Sequence, residues 1–363
     1  MAVIDHVEVH HLAVPQPHPI RSSYGAALDV LGVVVVRVTD TDGGVGEGWT
    51  TVIGGGGASV VSFLSTELVP LVIGTDPAQV RGLWQRMFMH SLSRGRKGVP
   101  MYAISAVDIA VWDLRARTAD QPLHAHLGSV VTEVPVYGDG CWVSFSRAEL
   151  REAAESYTAR DFWGVKVKVG ADLDDAIRRV EIVRDVVGPA GRVMVDANQR
   201  YNLLTTRRFA AAVADLDLTW LEEPIIADSI HDYGRLHGTI EVPIAAGENE
   251  YSRYGFRELL EHEAVDILQP DAHRMGGVTE FMRVLALADA WNIPVAPHTS
   301  WELHSQLVCC GTTAMVVEYY DWLPDDFFAV RPDIVNGVVA VSQVPGTGVS
   351  IDPASLVKYR VAQ

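Results

Sequence analysis

The chain has 363 residues and a formal charge of −17 at pH 7. That field repels nucleic acid and anionic membranes, which excludes both as partners, and it would repel a small anionic substrate unless local cations compensate. Hydrophobic residues make up 48%, an ordinary globular share, yet no apolar run approaches the length that spans a bilayer. The N-terminus lacks the basic start and long apolar stretch of a secretory leader. Cys141, Cys309 and Cys310 are too few for a disulfide framework and suit no zinc spacing, so a reducing cytoplasm is the simplest location.

Residues 1–125 read as an α+β capping domain. Val7–Val14 alternates as an early strand does. The β-branched run Val33–Val38, Thr-Asp-Gly-Gly turn chemistry and Val45–Trp49 then predict an antiparallel pair. Helical patterns follow at Ser59–Leu71, Gln79–Met89 and Ala103–Arg117. The four glycines Gly54–Gly57 read as a mobile loop.

From residue 126 the rhythm changes. Eight short apolar runs alternate with helix-like segments: Val134–Tyr137, Val165–Val169, Val193–Asp196, Leu218–Glu222, Ile244–Glu248, Asp266–Asp271, Ile293–His298 and Met315–Glu318. This predicts an α/β class fold, a β/α barrel over residues 126–330 with helices outside. Residues 331–363 read as loop and short strand, expected to pack back on the first domain.

Functional groups of such barrels gather at the carboxyl ends of strands. Seven of the eight predicted strands carry an ionisable group there. Asp196, Glu222 and Glu248 are evenly spaced, 222 − 196 = 26 and 248 − 222 = 26, about one strand, loop and helix per step. Three hard oxygen donors at one point call for a divalent cation, most plausibly Mg²⁺. Lys166 and Lys168 share a strand face. Two adjacent ammonium groups lower each other's proton affinity, so one is expected to serve as a base near neutral pH.

Taken in order, Lys-x-Lys, Asp-x-Asn, Trp-Leu-Glu-Glu-Pro, Gly-Glu-Asn, Gln-Pro-Asp…Gly-Gly and a later His resemble the enolase superfamily, and within it the mandelate racemase subgroup. The resemblance covers nearly the whole chain. It implies a modified (β/α)7β barrel under an N-terminal cap, and one Mg²⁺ bound by Asp196, Glu222 and Glu248, with Glu223 in support. It implies Lys168 and a His298–Asp271 dyad as bases, Lys166 against the substrate carboxylate, and Glu318 hydrogen-bonded to that carboxylate. Sites of that superfamily pair a Lys or His base with Mg²⁺ to stabilise an enediolate. Asn198 would meet a substrate hydroxyl. His18, Arg21 and Tyr24 fall in a cap loop that sets specificity in the family. The roles of Arg94, Arg96, Lys97, Glu302 and His304 stay open. A homo-oligomer is also implied.

Ala-Ile-Ser-Ala-Val-Asp-Ile-Ala-Val-Trp-Asp-Leu and Ala-Pro-His-Thr-Ser-Trp-Glu-Leu-His resemble acid sugar dehydratases most. The expected reaction is dehydration of an aldonate or aldarate to a 2-keto-3-deoxy sugar acid, in a pocket that is polar rather than shaped for an aromatic ring. Racemisation or epimerisation of a 2-hydroxy acid by the same residues is the alternative. A catalytically silent barrel is the remote one.

Overall fold

The structure, a computed structural model, describes residues 2–21 and 27–362, excluding the side chains of residues 17–21 and 27. Strands β1 (Ile4–Arg21), β2 (Ala27–Asp40) and β3 (Val45–Ile53) form an antiparallel sheet in that order. The turn between β2 and β3 is tied by Asp40, whose Oδ1 accepts from the amides of Asp42 and Gly44 at 3.0 and 2.8 Å. Val33–Val36 are all fully buried. The helix Val99–Thr118 is buried almost all round, as suits a helix packed between other layers. It comes so close to β3 that a Cβ on Gly48 would lie 2.4 Å from the Ala106 carbonyl oxygen. The expected helix at 59–71 is present but interrupted. Between Gly57–Phe63 and Val69–Val72 the turns widen to π-helix over Leu64–Leu68. Pro70 has no amide proton to continue the ordinary ladder, a common reason for such a defect.

The second unit is a barrel. Strands β4 (Glu133–Cys141), β5 (Val165–Lys168), β6 (Val193–Asp196), β7 (Leu218–Glu222), β8 (Ile244–Ala246) and β9 (Ile267–Leu268) lie side by side in parallel. β10 (Val317–Tyr319) pairs in parallel with β4 and closes the circuit. The expected seventh strand, Ile293–His298, shrinks to single bridges from Val295 to Leu268 and to Ala314. Pro294 and Pro297 flank that residue and cannot donate to a ladder. Pro270 likewise ends β9, expected to run to Asp271, after two residues. β4 is longer than the expected Val134–Tyr137, and the extension carries Asp139 onto the rim. No single helix among the described residues is long and apolar enough to cross a membrane.

Cap and barrel are stitched together behind the barrel rim. Thr50 Oγ1 donates to the His273 carbonyl at 2.7 Å, and the His273 ring bonds the Trp49 carbonyl at 2.7 Å. Trp84 Nε1 donates to Gly276 O, and Ser105 Oγ accepts from Gly276 N. Asp108 takes both the amide and the hydroxyl of Thr279, at 2.8 and 2.7 Å. After β10 the chain forms β11 (Phe328–Val330), β12 (Ile334–Val335), β13 (Val338–Ala340), β14 (Ser350–Ile351) and the helix Pro353–Lys358. β13 adds antiparallel to β4. The end of this segment bonds the cap: Ile351 N donates to Glu47 Oε1, Thr347 N to Asp113 Oδ1 and Val361 N to His11 O.

Burial pushes the Asp108 carboxyl up to about 7, against the lowering pull of its Thr279 bonds. Its folded value lies above the unfolded value, so its contribution to stability is full at low pH and is lost as pH rises through about 7. Replacing it by the isosteric amide in Asp108→Asn should flatten the fall in unfolding free energy between pH 5 and 8, read by urea titration at each pH. A variant with the wild-type slope would show that folding does not raise this carboxyl.

Candidate active site

One alternation builds the rim. Tyr137, Met194, Trp220, Ala245, Ile267, Ala296 and Val316 form a separate buried cluster, one residue from each strand position except β5, where Lys166 stands. They plug the barrel. Side chains two residues apart on a strand share a face. Two residues beyond each plug residue stand Asp139, Lys168, Asp196, Glu222, Gly247, Gln269, His298 and Glu318. Every one except the glycine is polar and buried. At β8 the backbone at Gly247 takes φ 142° and a Cβ there would lie 2.8 Å from the Phe256 ring, so only glycine fits and the acid comes one residue later, at Glu248. Left-handed φ at Asn198 (40°), Glu223 (38°) and Thr299 (52°) marks the same strand ends, strain of the kind that collects at functional sites.

The lysines face carboxylates. Lys166 Nζ lies 2.7 and 2.8 Å from the two Glu222 oxygens, 2.5 Å from Glu318 Oε1 and 3.3 Å from Asp139 Oδ2. Lys168 Nζ lies 2.6 Å from Asp196 Oδ2 and 3.1 Å from Asp139 Oδ2. Burial favours the neutral amine in both, but the surrounding acids outweigh it and hold both as ammonium ions. This corrects the expectation that their mutual repulsion frees Lys168 as a base. Repulsion from Lys166 is present at Lys168, and Asp139 and Asp196 exceed it.

On the far side of the rim, His298 Nδ1 lies 3.0 Å from Asp271 Oδ2 and Nε2 lies 3.3 Å from Glu248 Oε2. Burial lowers its pKa and favours the neutral ring. Arg274 bridges the same two acids, Nη1 to Glu248 Oε1 at 3.2 Å and Nε to Asp271 Oδ2 at 3.3 Å. Burial opposes ionisation of Glu248 and Asp271, yet their basic neighbours hold Glu248 down at about 2 and Asp271 well below the carboxylate range. His304 sits behind the dyad and does not enter it. Its Nε2 accepts from Ala272 N at 3.0 Å, its Nδ1 bonds Thr299 O at 2.6 Å, and burial lowers it to about 4.

Asp196, Glu222 and Glu248 come from adjacent strands. Burial raises Glu222 to about 7, helped by the charges of Asp196 and Glu248. The three acids therefore feel one another. Hard oxygens that repel across a small space suit a divalent cation. Among the described residues no three His, Cys, Asp or Glu side chains stand preassembled as a metal cage. Their oxygens turn instead to Lys166, Lys168, Arg274 and His298. Asn198 orients Asp196 through both its amide and its side chain, each at 2.7 Å. Glu223 is raised well above the carboxylate range by burial and takes Asn249 Nδ2 at 2.8 Å. Glu318 is raised likewise by burial, and accepts from Thr299 N at 2.6 Å.

Three rim residues escaped the sequence reading. Asp139 stands where the first strand was expected to have ended. Gln269, whose Nε2 donates to Glu222 Oε2 at 2.6 Å, stands in the Gln-Pro-Asp motif but is uncharged, and the sequence assigns it no role. Arg274 follows the strand and reads as helix. A two-residue step from each plug position would have found the first two. Aromatic rings also enter the site: Trp142 and Tyr320 lie 5.4 and 5.6 Å from Lys168 Nζ, so the pocket is not purely polar as expected. Tyr24 lies outside the described residues, as do the side chains of His18 and Arg21. Of the basic cluster, Arg94 pairs with Glu67 at 3.1 Å and Lys97 reaches Asp228 and Glu250, each at 3.4 Å, while Arg96 lines the cleft beside Tyr254. Glu302 is buried, and burial pushes it up to about 7.

Comparison with known proteins places this geometry among relatives. Residues 6–128 match the family model described as the mandelate racemase / muconate lactonizing enzyme N-terminal domain, and residues 149–355 match the enolase C-terminal domain-like model. The chain is 32% identical to a 3,6-anhydro-alpha-L-galactonate cycloisomerase of Streptomyces coelicolor over 96% of this chain and 97% of that one. It is 31% identical to an arabinonate dehydratase of Saccharolobus solfataricus, covering 93% and 92%. The crystal structure of an L-talarate dehydratase from Polaromonas sp. JS666, complexed with Mg and L-glucarate, superposes with a TM-score of 0.93 at 30% identity, covering 100% and 98%.

Arg274→Met removes the guanidinium from two buried acids. Losing one partner of a buried ion pair costs about 3–5 kcal/mol. Urea unfolding at pH 7 should show a loss of that order. A loss below about 1 kcal/mol would mean that Arg274 does not compensate Glu248 and Asp271.

Proposed function

This chain belongs to the enolase superfamily, in its mandelate racemase / muconate lactonizing enzyme branch, and on that premise we propose that it is a Mg²⁺-dependent acid sugar dehydratase. One observation carries the reading. Lys168 on β5 and His298 at the seventh position lie on opposite arcs of a single rim. In strand order the carboxylates Asp196, Glu222 and Glu248 stand between them.

The donor set fits Mg²⁺: three buried carboxylates on neighbouring strands, all hard oxygens, with Asn198 and Gln269 hydrogen-bonded to two of them. A divalent cation there supplies positive charge where a substrate carboxylate gains negative charge as its α-proton leaves. The other roles belong to the chain's own residues. Lys166 brings a permanent ammonium to the substrate carboxylate, and a protonated Glu318 donates to it. Lys168 and His298 are the two bases. Lys168 carries its proton between Asp139 and Asp196; with Asp196 among the residues that would hold the cation, repulsion from Lys166 would weigh more on that proton. His298 is neutral and is oriented by Asp271 through Nδ1, which presents Nε2 for proton transfer. Neutral His298 takes the α-proton at Nε2 and, so protonated, gives it to the departing β-hydroxyl, which leaves as water, while Lys168 serves the opposite face of the α-carbon. The resulting enol becomes a 2-keto-3-deoxy acid. Asn198 and the cap residues His18, Arg21 and Tyr24 are assigned to substrate hydroxyls and specificity within the cap, residues 1–125. A homo-oligomer in a reducing cytoplasm completes the proposal, in keeping with three free cysteines.

The test is a panel of aldonates, aldarates and their lactone or anhydro forms with Mg²⁺, trapping 2-keto product with semicarbazide. At least one should give keto acid, and Lys168→Ala and His298→Asn should each cut turnover on the order of 10²–10⁴-fold with the fold intact by circular dichroism. No keto acid from any member would contradict dehydration. An inverted, α-deuterated substrate formed in D₂O without keto product would select epimerisation, which the same two bases support.

A further inference from the structure

The lysine strand carries two ammonium groups, and one carboxylate oxygen touches both. Asp139 Oδ2 lies 3.1 Å from Lys168 Nζ and 3.3 Å from Lys166 Nζ. Asp139 is fully buried, and the Tyr320 hydroxyl donates to that same oxygen. Its Oδ1 has no hydrogen-bond partner among the described residues. A buried carboxylate with one bare oxygen is costly unless something fixes it there.

The backbone shows what does. β4 pairs with β5 through Gly138↔Val165 and Asp139↔Lys166, and then skips a residue so that Cys141 meets Val167. The extra residue is Gly140, a bulge, and bulges re-aim the side chains beside them. Tyr157 packs into it: its hydroxyl donates to the Asp139 carbonyl at 3.3 Å, and a Cβ on Gly140 would lie 2.2 Å from that hydroxyl oxygen. The bulge aims Asp139 between the lysines, and Tyr320 holds its head from β10's end. Trp142 and Tyr320 then border the Lys168 ammonium with their rings.

We propose that Asp139 is the positioning residue of the lysine pair: it fixes Lys168 Nζ where an α-proton is transferred, and Tyr320 and the Gly140 bulge fix Asp139. This rests on the reading of Lys168 as a base. Asp196 also touches Lys168, but it belongs to the cation's donor set. That leaves Asp139 as the anchor that stays with the lysine when Asp196 is engaged elsewhere.

The test uses Asp139→Asn, which keeps shape and removes charge, and Tyr320→Phe, which removes one hydroxyl. The probes are C2-epimeric sugar acids, with α-proton exchange in D₂O followed by NMR on each epimer in the Mg²⁺ enzyme. Wild-type exchange on the two epimers reports the Lys168 face and the His298 face separately, and Lys168→Ala and His298→Asn identify which is which. Misplacing a reacting group by about 1 Å costs on the order of 10²-fold. Asp139→Asn should therefore slow Lys168-face exchange about 100-fold, leave His298-face exchange within about threefold and leave KM within about threefold. Tyr320→Phe should slow the Lys168 face about tenfold. Equal losses on both faces would mean a purely structural role, and no loss on either would mean none; both overturn the proposal. Wild-type inactivity on every sugar acid would instead count against the functional reading. A crystal structure of Asp139→Asn then decides the inference alone: a displaced Lys168 Nζ supports it and an unmoved one overturns it.

Discussion

Charge balance in a buried ring governs this molecule. Asp139, Asp196, Glu222, Glu223, Glu248, Asp271 and Glu318 are all buried at one rim, against three cations, Lys166, Lys168 and Arg274. Seven acids less three cations leaves four in excess. Buried charge without compensation is too costly to keep. The fold answers in two ways. Glu223 and Glu318 are pushed well above the carboxylate range and Glu222 to about 7, chiefly by burial. Asp139, Glu248 and Asp271 are instead held low, against burial, by the lysines, Arg274 and His298. The acidic excess that remains is the electrostatic case for a divalent cation at this rim.

That constraint orders the rest of the fold. A ring this polar needs a dry floor, and the plug of Tyr137, Met194, Trp220 and their neighbours provides it two residues below. It needs rigid strand ends. Arg179 supplies part of this, donating to the carbonyls of Lys168, Phe145 and Trp142 and so tying the exits of β4 and β5. It also needs a lid, and the cap is fastened by hydrogen bonds to residues 273–279, the segment that follows Asp271 and contains Arg274. Cap placement and dyad placement are therefore one problem for this chain.

Much of the rim was legible in the sequence because strand-end acids and lysines sit in short apolar runs with a fixed period. Lys168, Asp196, Glu222, Glu248, Asp271, His298 and Glu318 all stand on one rim, as that reading placed them. What the sequence hid has physical reasons. Asp139 lies between two glycines, beyond the apolar run Val134–Tyr137 that marks the strand, and the second glycine makes a bulge inside a longer strand. The seventh strand keeps its place but loses its ladder to Pro294 and Pro297. The protonation of Lys168 is not legible in the sequence because its nearest charges come from other strands, and only folding brings Asp139 and Asp196 to it. Residues such as Arg274, placed by a short helix after the strand, leave no strand period to find.

The central claim is that Asp196, Glu222 and Glu248 act as one cation site facing Lys168 and His298. Anomalous diffraction from a crystal soaked in Mn²⁺ tests it most directly. One strong peak bounded by those three carboxylates is expected, lost in Glu222→Gln. A peak held by other residues, or none at the rim, would contradict it.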